Sequence, residues 1–281
     1  MSGKKEVPAV NQKIYGESVQ GASHVRGGIV CQDSYKKVEL SKDMVLIAVA
    51  DGHGSAACPY SKTGSQIAVN VFCRVMQDLI ENFKDDPEFL LTYLNREGDT
   101  KIAQAIDVMW KERVWKAHRD NKREKPVKKD NIVDKMAVYK QYGTTLLGLM
   151  VSKEFIFAYQ LGDGDILFVD HASVQPVVES DKILGIETHS LCKADSWKKA
   201  STVVRVRSIE SDLPYLYMLS TDGFSNSYKT QEDLEKSCRD YYEMIQKYGF
   251  EVVSSNLKSW LLETSEMGCG DDITVVMAYY E

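Results

Sequence analysis

The sequence predicts a single α+β domain, and two observations carry that prediction. Short apolar runs of strand length alternate with longer stretches whose apolar residues follow a helical period. Across 281 residues, no composition break, internal repeat or low-complexity tract marks a boundary between two domains. A chain of this length can bury a sizeable core without disulfide or metal staples. We therefore expect the strands and helices to pack around one core.

Six apolar runs have the length of β-strands. The clearest covers residues 44–50, a continuous apolar run of the kind found in strands that are buried on both faces. The other five runs cover residues 144–151, 154–161, 166–169, 215–219 and 273–280.

Three stretches between these runs predict helices. Residues 64–79 carry one apolar stripe, which includes Ile67, Val71 and Val75. Residues 89–118 form a second helical candidate, and residues 231–264 contain a third and a fourth.

Two further stretches are irregular. Residues 119–131 contain six basic and three acidic side chains around a proline, so this stretch is either a docking patch or a solvated connection between a helix and the next strand. Residues 171–201 show no period and resemble an insertion between strands more than a linker between domains.

The charge balance excludes two classes of function. The chain has 41 acidic and 35 basic side chains, a net charge of -6, whereas nucleic-acid binders and proteins of anionic membrane surfaces need a basic face. No apolar stretch follows the N-terminal lysines or is long enough to span a bilayer. The six cysteines form no Cys-x-x-Cys pair. These features predict a soluble, cytoplasmic protein with reduced cysteines.

Aspartates lie at the ends of the predicted strands. Asp51, Asp163 and Asp222 follow apolar runs, and Asp271 precedes the last one, each beside a glycine. In an antiparallel sheet, strand ends and the starts of neighbouring strands meet at one edge. Clustered carboxylates repel unless cations hold them, and oxygen ligands without Cys or His suit Mg²⁺ or Mn²⁺. Asp-Gly is also a common turn signal, so a set of ordinary turns is the alternative.

Several other motifs are excluded. An EF-hand loop starting at Asp163 fails, because its sixth position is Phe168 and its twelfth is Val174. The chain also lacks a phosphate-binding P-loop, a His-Glu-x-x-His motif and a Gly-x-Ser-x-Gly motif.

Six short motifs occur in a fixed order along the chain: Gln32-Asp33-Ser34, Asp51-Gly52-His53-Gly54, Gly143-Thr144-Thr145, Gly162-Asp163-Gly164, Thr221-Asp222-Gly223 and Gly270-Asp271-Asp272-Ile273-Thr274. This ordered set resembles the metal-dependent (PPM) type 2C protein serine/threonine phosphatases, from about Gly16 to the C-terminus. The resemblance implies a four-layer α-β-β-α sandwich, in which helices flank two mainly antiparallel sheets. It also implies an N-terminal extension over residues 1–12, a phosphatase domain over 13–281 and a flap-like segment at about 171–201.

The resemblance implies a centre with two Mg²⁺ or Mn²⁺ ions. In this family pattern, Asp51 bridges the two ions and the carbonyl of Gly52 binds one of them. Asp222 and Asp271 hold the other ion, and Asp33 contacts the centre directly or through water.

Two further roles follow from the same resemblance. Asp163 matches the aspartate that, with Asp222, helps hold a third and weaker metal ion in bacterial members. His53 matches the proposed general acid. Many members also carry a phosphate-binding arginine five residues before the first aspartate, a position that is Gly28 here. Arg26 is the nearest arginine, and His24 or another basic group is an alternative.

The implied activity is hydrolysis of phosphoserine and phosphothreonine in proteins. A water or hydroxide bridging the two ions attacks phosphorus, and His53 protonates the leaving alkoxide. The implied partner is a phosphoprotein substrate, with a protein kinase acting in the opposite direction, and neither nucleic acid nor membrane. Two alternatives remain: a catalytically weak, phosphatase-like regulatory or binding protein, and a related metal hydrolase of small phosphate esters.

Overall fold

Two five-stranded antiparallel sheets face each other at the centre of the molecule. The structure is a computed structural model that describes residues 10–128, 130–179 and 188–281. One sheet has the order β2-β3-β4-β5-β8 and the other the order β1-β10-β9-β6-β7. The strands are β1 (Gln12–Val19), β2 (Ser34–Ser41), β3 (Met44–Ala50), β4 (Leu146–Val151), β5 (Phe155–Leu161), β6 (Asp165–Val169), β7 (Val174–Pro176), β8 (Ser201–Val206), β9 (Tyr215–Ser220) and β10 (Ile273–Tyr280).

Strand β3 shows why its sequence is apolar at every position. Val45, Ile47 and Val49 belong to the core between the two sheets. The intervening residues, which include Leu46 and Ala48, belong to the core between this sheet and its helices. Because side chains alternate across a strand, a strand covered on both faces needs apolar residues throughout.

Helices cover the outer face of each sheet. Helices α2, α3 and α4 pack on the β2-β3-β4-β5-β8 sheet, and α7 and α8 pack on the other. This arrangement confirms the predicted four-layer α-β-β-α sandwich. In the described part of the chain, no helix is long and apolar enough to cross a membrane. The helices are α1 (Ala22–Gly27), α2 (Ser61–Asn82), α3 (Pro87–Glu97), α4 (Ala103–Asp120), α5 (Lys135–Lys140), α6 (Asp222–Ser225), α7 (Gln231–Tyr248) and α8 (Phe250–Met267).

The helix predicted over residues 89–118 is interrupted. A π-helical turn, Gly98–Ile102, separates α3 from α4. Gly98 lies so close to the sheet that a Cβ atom there would be 2.9 Å from Thr202 Oγ1 and 3.0 Å from Phe157. The break in the helix therefore coincides with a close approach of the backbone to the sheet. It does not coincide with a loss of the apolar period.

Three strands of full length were not predicted. Strands β1, β2 and β8 lie at sheet edges, and none of them is a continuous run of buried residues: β1 and β2 mix more and less exposed positions, and every residue of β8 is half-buried or exposed. The irregular stretch 171–201 contains the short strand β7 and a 3₁₀ turn, Ser196–Lys199, while its residues 180–187 lie outside the described residues. Strand β1 begins at the predicted end of the N-terminal extension, of which residues 1–9 are likewise outside the described part.

Candidate active site

A pocket of about 750 Å³ opens at the sheet edge where β3 ends and β10 begins. Asp51, His53 and Asp271 line it. Its outer wall comes from α5 and from residues 192–194. Gly52 lines it as well, so the structure brings four of the predicted site residues to one cavity, whereas Asp33, Asp163 and Asp222 are not among its lining residues.

The backbone of Asp51 is held firmly by two threonines. Its N–H donates to Thr145 Oγ1 at 3.0 Å. Its carbonyl accepts from Thr144 Oγ1 at 2.7 Å and from the N–H of Thr145 at 2.9 Å. These bonds join the end of β3 to the start of β4 and fix the position of the aspartate.

The predicted aspartates act on one another electrostatically at this edge. Burial raises the pKa of Asp51 well above its ordinary value, and the negative charges of Asp33, Asp222, Asp271 and Asp163 raise it further. Like charges have this effect only when they are close. The five aspartates thus form one acidic cluster, as the strand-end pattern predicts.

Asp33 is the most deeply buried member of this cluster, with 1% of its surface exposed. Burial raises its pKa to about 7, although a hydrogen bond from Thr221 Oγ1 at 2.7 Å favours the ionised form. The neighbouring Asp272 accepts hydrogen bonds from the backbone N–H groups of Gly21 and Gln32, at 2.7 and 2.6 Å. Asp272 thus fastens the segment that carries Asp33.

Asp163 and Asp222 each accept a side-chain hydrogen bond at Oδ2. Thr188 Oγ1 donates to Asp163 Oδ2 at 2.6 Å, and Asn226 Nδ2 donates to Asp222 Oδ2 at 2.9 Å. The other oxygen of Asp163, Oδ1, is buried and has no hydrogen-bond partner among the described residues. A buried carboxylate oxygen without a donor is suited to a cation.

The residues present fit a hard divalent cation in their chemistry. The donors are carboxylate oxygens, they repel one another, and one of them lacks a partner. Within the residues that the structure describes, however, no group of three His, Cys, Asp or Glu side chains is arranged so that it could hold a metal ion. The aspartates are neighbours but do not converge on a common point.

Gly52 and His53 follow Asp51 in a tightly packed turn. Gly52 pairs with Thr144 in an isolated β-bridge. The N–H of His53 donates to the carbonyl of Gly143 at 3.0 Å. A Cβ atom on Gly143 would lie 2.5 Å from His53 Cδ2, so the imidazole ring packs directly on the backbone there. The Gly143-Thr144-Thr145 motif therefore positions both the aspartate and the histidine.

The basic residues are placed differently from the expectation. Arg26 is exposed on α1 and is not among the residues that line the pocket. His24 does line it, with Nδ1 2.9 Å from Asp272 Oδ1, although not in good hydrogen-bond geometry, and Nε2 3.7 Å from Asp271 Oδ1. Two further basic residues of the pocket wall, Lys140 and Lys193, did not stand out in the sequence.

Hydroxyl groups also contact the acidic cluster, although the sequence analysis assigned no role to them. Thr144, Thr145, Thr188 and Thr221 each bond to an aspartate of the cluster. Three of these threonines, Thr144, Thr145 and Thr221, belong to the quoted motifs, so a signal for them was present. Thr188 lies 25 residues from its partner Asp163, and no local pattern joins them.

Comparison with known proteins gives one family. Residues 20–262 match the family model described as protein phosphatase 2C. A comparison with curated proteins finds no match.

Solved structures with the same fold share few residues with this chain. A serine/threonine phosphatase from S. agalactiae is 16% identical, with a TM-score of 0.58 over 96% of this chain and 100% of that one. The catalytic domain of the phosphatase PstP, solved with two manganese ions, is 14% identical, with a TM-score of 0.54 over 96% and 99%. PppA from Pseudomonas aeruginosa is 14% identical, with a TM-score of 0.54 over 96% and 98%.

Proposed function

The chain belongs to the protein phosphatase 2C family, and we propose that it hydrolyses phosphoserine and phosphothreonine in proteins with the aid of Mg²⁺ or Mn²⁺. The observation that carries this proposal is the cavity at the sheet edge, which brings Asp51, Gly52, His53 and Asp271 of the family pattern together. The similar fold of PstP was solved with two manganese ions, which supports the same class of cofactor here.

The aspartate cluster supplies the groups that would hold two ions. Asp51 and the Gly52 carbonyl would hold one ion, and Asp51 would share the other with Asp222 and Asp271. Asp33, linked to Thr221, would contact the centre from the buried side. When bound, such ions supply Lewis-acid activation of water and neutralise phosphoryl charge.

Asp163 is suited to a third and weaker site. Its Oδ2 is held by Thr188, whereas its buried Oδ1 has no partner among the described residues. A carboxylate held by one oxygen presents the other to a cation without losing its orientation. Asp222, whose Oδ2 accepts a hydrogen bond from Asn226, would share this ion.

His53 is the residue that we assign to protonation of the leaving group. A serine or threonine alkoxide leaves poorly, so a proton donor at that oxygen speeds the reaction. Histidine is the side chain whose ordinary titration range lies closest to neutral pH. His53 lines the pocket two residues after Asp51, and its backbone bond to Gly143 holds it there.

A second candidate is a phosphoprotein-binding regulator with little or no activity. The observation that favours it is the placement of Arg26, which does not line the pocket, with Gly28 in the position of the usual arginine. In that case the pocket would bind a phosphoresidue and release it unchanged.

The experiment that separates these functions is phosphate release from a phosphoserine peptide during a titration with Mn²⁺ and with Mg²⁺. We expect release to need the metal and to stop on addition of EDTA. Asp51→Asn and Asp222→Asn should abolish it while circular dichroism shows an intact fold. Absence of release at any metal concentration would favour the regulator. Faster release from nucleotides than from phosphopeptides would favour a hydrolase of small phosphate esters.

A further inference from the structure

A short basic hairpin lies beside the pocket and leads into α5. The N–H of Lys128 donates to the carbonyl of Ile132, and the N–H of Asp134 donates to the carbonyl of Pro126, both at 2.8 Å. Val127 and Val133 pair between these two bonds in an antiparallel bridge. The described residues of the charged stretch are therefore folded, and their backbone hydrogen bonds give them a defined shape.

This hairpin is anchored to the helical layer by aromatic contacts. The guanidinium of Arg123 lies 3.5 Å from the centre of the Tyr60 ring and donates to the hydroxyl of Tyr142. His118 Nε2 lies 2.8 Å from the carbonyl oxygen of Glu124. A cation over an aromatic face and a buried ring contact hold a loop in place more firmly than surface charge does.

Positive charge is concentrated here in a chain that is acidic as a whole. Residues 122–140 contain seven basic and three acidic side chains, whereas the net charge of the chain is -6. Lys125, Lys128, Lys135 and Lys140 are exposed, and none of them forms an ion pair with a carboxylate of the described residues. Lys125 and Lys135 lie over the ring of Trp115, at 6.0 and 5.2 Å from its centre. Lys128 and Lys140 are available to a partner with negative charge.

Exposed apolar side chains lie among these lysines. Val127, Ile132 and Met136 have 58%, 61% and 39% of their surface exposed. Lys128 faces Ile132 across the hairpin, and residues directly opposite in an antiparallel pair lie on the same side. We call the four lysines with Ile132 and Met136 the basic surface. Such a mixture of apolar and positive groups is typical of a recognition surface.

The basic surface is continuous with the pocket. Met136 and Lys140 are one helical turn apart on α5, and both line the cavity that contains Asp51 and His53. A peptide whose phosphoresidue lies at Asp51 can therefore continue over α5 onto the hairpin.

We propose that the basic surface binds the segment of the substrate that flanks the phosphoresidue, and that it selects acidic side chains interspersed with apolar ones. This inference rests on the proposed phosphatase function, and it adds the class of phosphoprotein on which the enzyme acts. Lys128 and Lys140 attract the carboxylates of the substrate, and Ile132 and Met136 contact its apolar side chains. Association is faster for a substrate of opposite charge and weakens with salt.

The test compares two phosphoserine peptides of equal length, one with Asp and Glu on both sides of the phosphoserine and one with alanine there. Because an exposed ion pair changes an equilibrium by about two- to five-fold, we expect kcat/KM to be roughly ten-fold higher for the acidic peptide at low salt. The double variant Lys128→Glu/Lys140→Glu should reduce this ratio to about one. The matched reversal Lys258→Glu, at an exposed position of α8 on the other helical layer, should leave the ratio unchanged. Equal kcat/KM for the two peptides in the unmodified protein would overturn the inference, and so would an unaltered ratio in the double variant.

A binding measurement separates failure of this inference from failure of the proposed function. If neither peptide is hydrolysed with Mn²⁺, the phosphatase function fails, and fluorescence anisotropy of the labelled peptides then tests the surface by itself. Tighter binding of the acidic peptide, lost in the double variant, would support the surface. Equal binding of the two peptides would overturn it, and so would tighter binding of a single-stranded RNA that depends on the same lysines.

Discussion

Replacement of Asp33 by asparagine should stabilise the metal-free protein, and more so at high pH. Asp33 is buried, and its pKa is raised from 3.8 to about 7, chiefly by burial and also by the charges of Asp272 and Asp222. A carboxyl group whose pKa is higher in the folded state contributes most to stability below its unfolded pKa. That contribution is lost as the pH rises through the folded value. Asparagine keeps an acceptor for Thr221 but carries no charge.

The size of the effect follows from the two pKa values. A change from 3.8 to about 7 costs on the order of 4 kcal/mol when the group is fully ionised, at about 1.4 kcal/mol per pKa unit. At pH 5 most of this cost is avoided, because the folded protein keeps the proton. The gain from Asp33→Asn should therefore be larger at pH 8 than at pH 5 by roughly 2–3 kcal/mol.

The assay is urea unfolding in EDTA at both pH values and one ionic strength, with free energies of unfolding from linear extrapolation. Asp85→Asn, at an exposed surface position, is the matched control. Addition of Mn²⁺ should then stabilise the unmodified protein more than the Asp33→Asn variant, because a ligand stabilises the state that binds it. An equal gain at pH 5 and pH 8, or a loss of stability at pH 8, would refute the reasoning.

Two further predictions concern the acid and the core. If His53 is the acid, His53→Ala should lower kcat for phosphoserine peptides by about 10²–10⁴-fold. The same change should lower kcat for p-nitrophenyl phosphate far less, because its leaving group needs no proton. Equal losses on the two substrates would exclude this role. Gly148→Ala should lower the free energy of unfolding by about 1–3 kcal/mol, because a Cβ atom there would lie 2.4 Å from the ring of Phe72. Gly27→Ala, where that atom has only ordinary contacts, is the control in thermal unfolding, and equal melting temperatures for the two variants would contradict this prediction.

The strands that the sequence predicted are those covered on both faces. Every residue of β4, β5, β9 and β10 is buried, so their apolar runs are continuous and easily recognised. Edge strand β2 alternates between half-buried and exposed positions and carries two lysines and a glutamate, so nothing in its composition distinguishes it from a loop.

The aspartates of the candidate site could be predicted from the sequence, whereas the residues of the outer pocket wall could not. Asp51 and Asp222 lie beside glycines at the ends of apolar runs, and this local pattern is visible in the sequence. The pocket wall contains Lys140 from a six-residue helix and Lys193 from the irregular stretch. Neither segment shows the apolar spacing of a helix or a strand, and only the tertiary fold brings these two lysines to the cavity. The prediction of one continuous helix over residues 89–118 missed the break at Gly98 for a related reason, because Gly98 contacts a strand that is distant in the sequence.

The distribution of the aspartates over the two sheets bears on the order of folding events. Asp51 follows a strand of one sheet, whereas Asp222 and Asp271 flank strands of the other. In a folding species with only one sheet formed, Asp51 lies far from Asp222 and Asp271, so its repulsion from these two carboxylates arises only when the sheets dock. That repulsion therefore acts late on the pathway and mainly accelerates unfolding. A cation that neutralises this repulsion would slow unfolding more than it would accelerate folding.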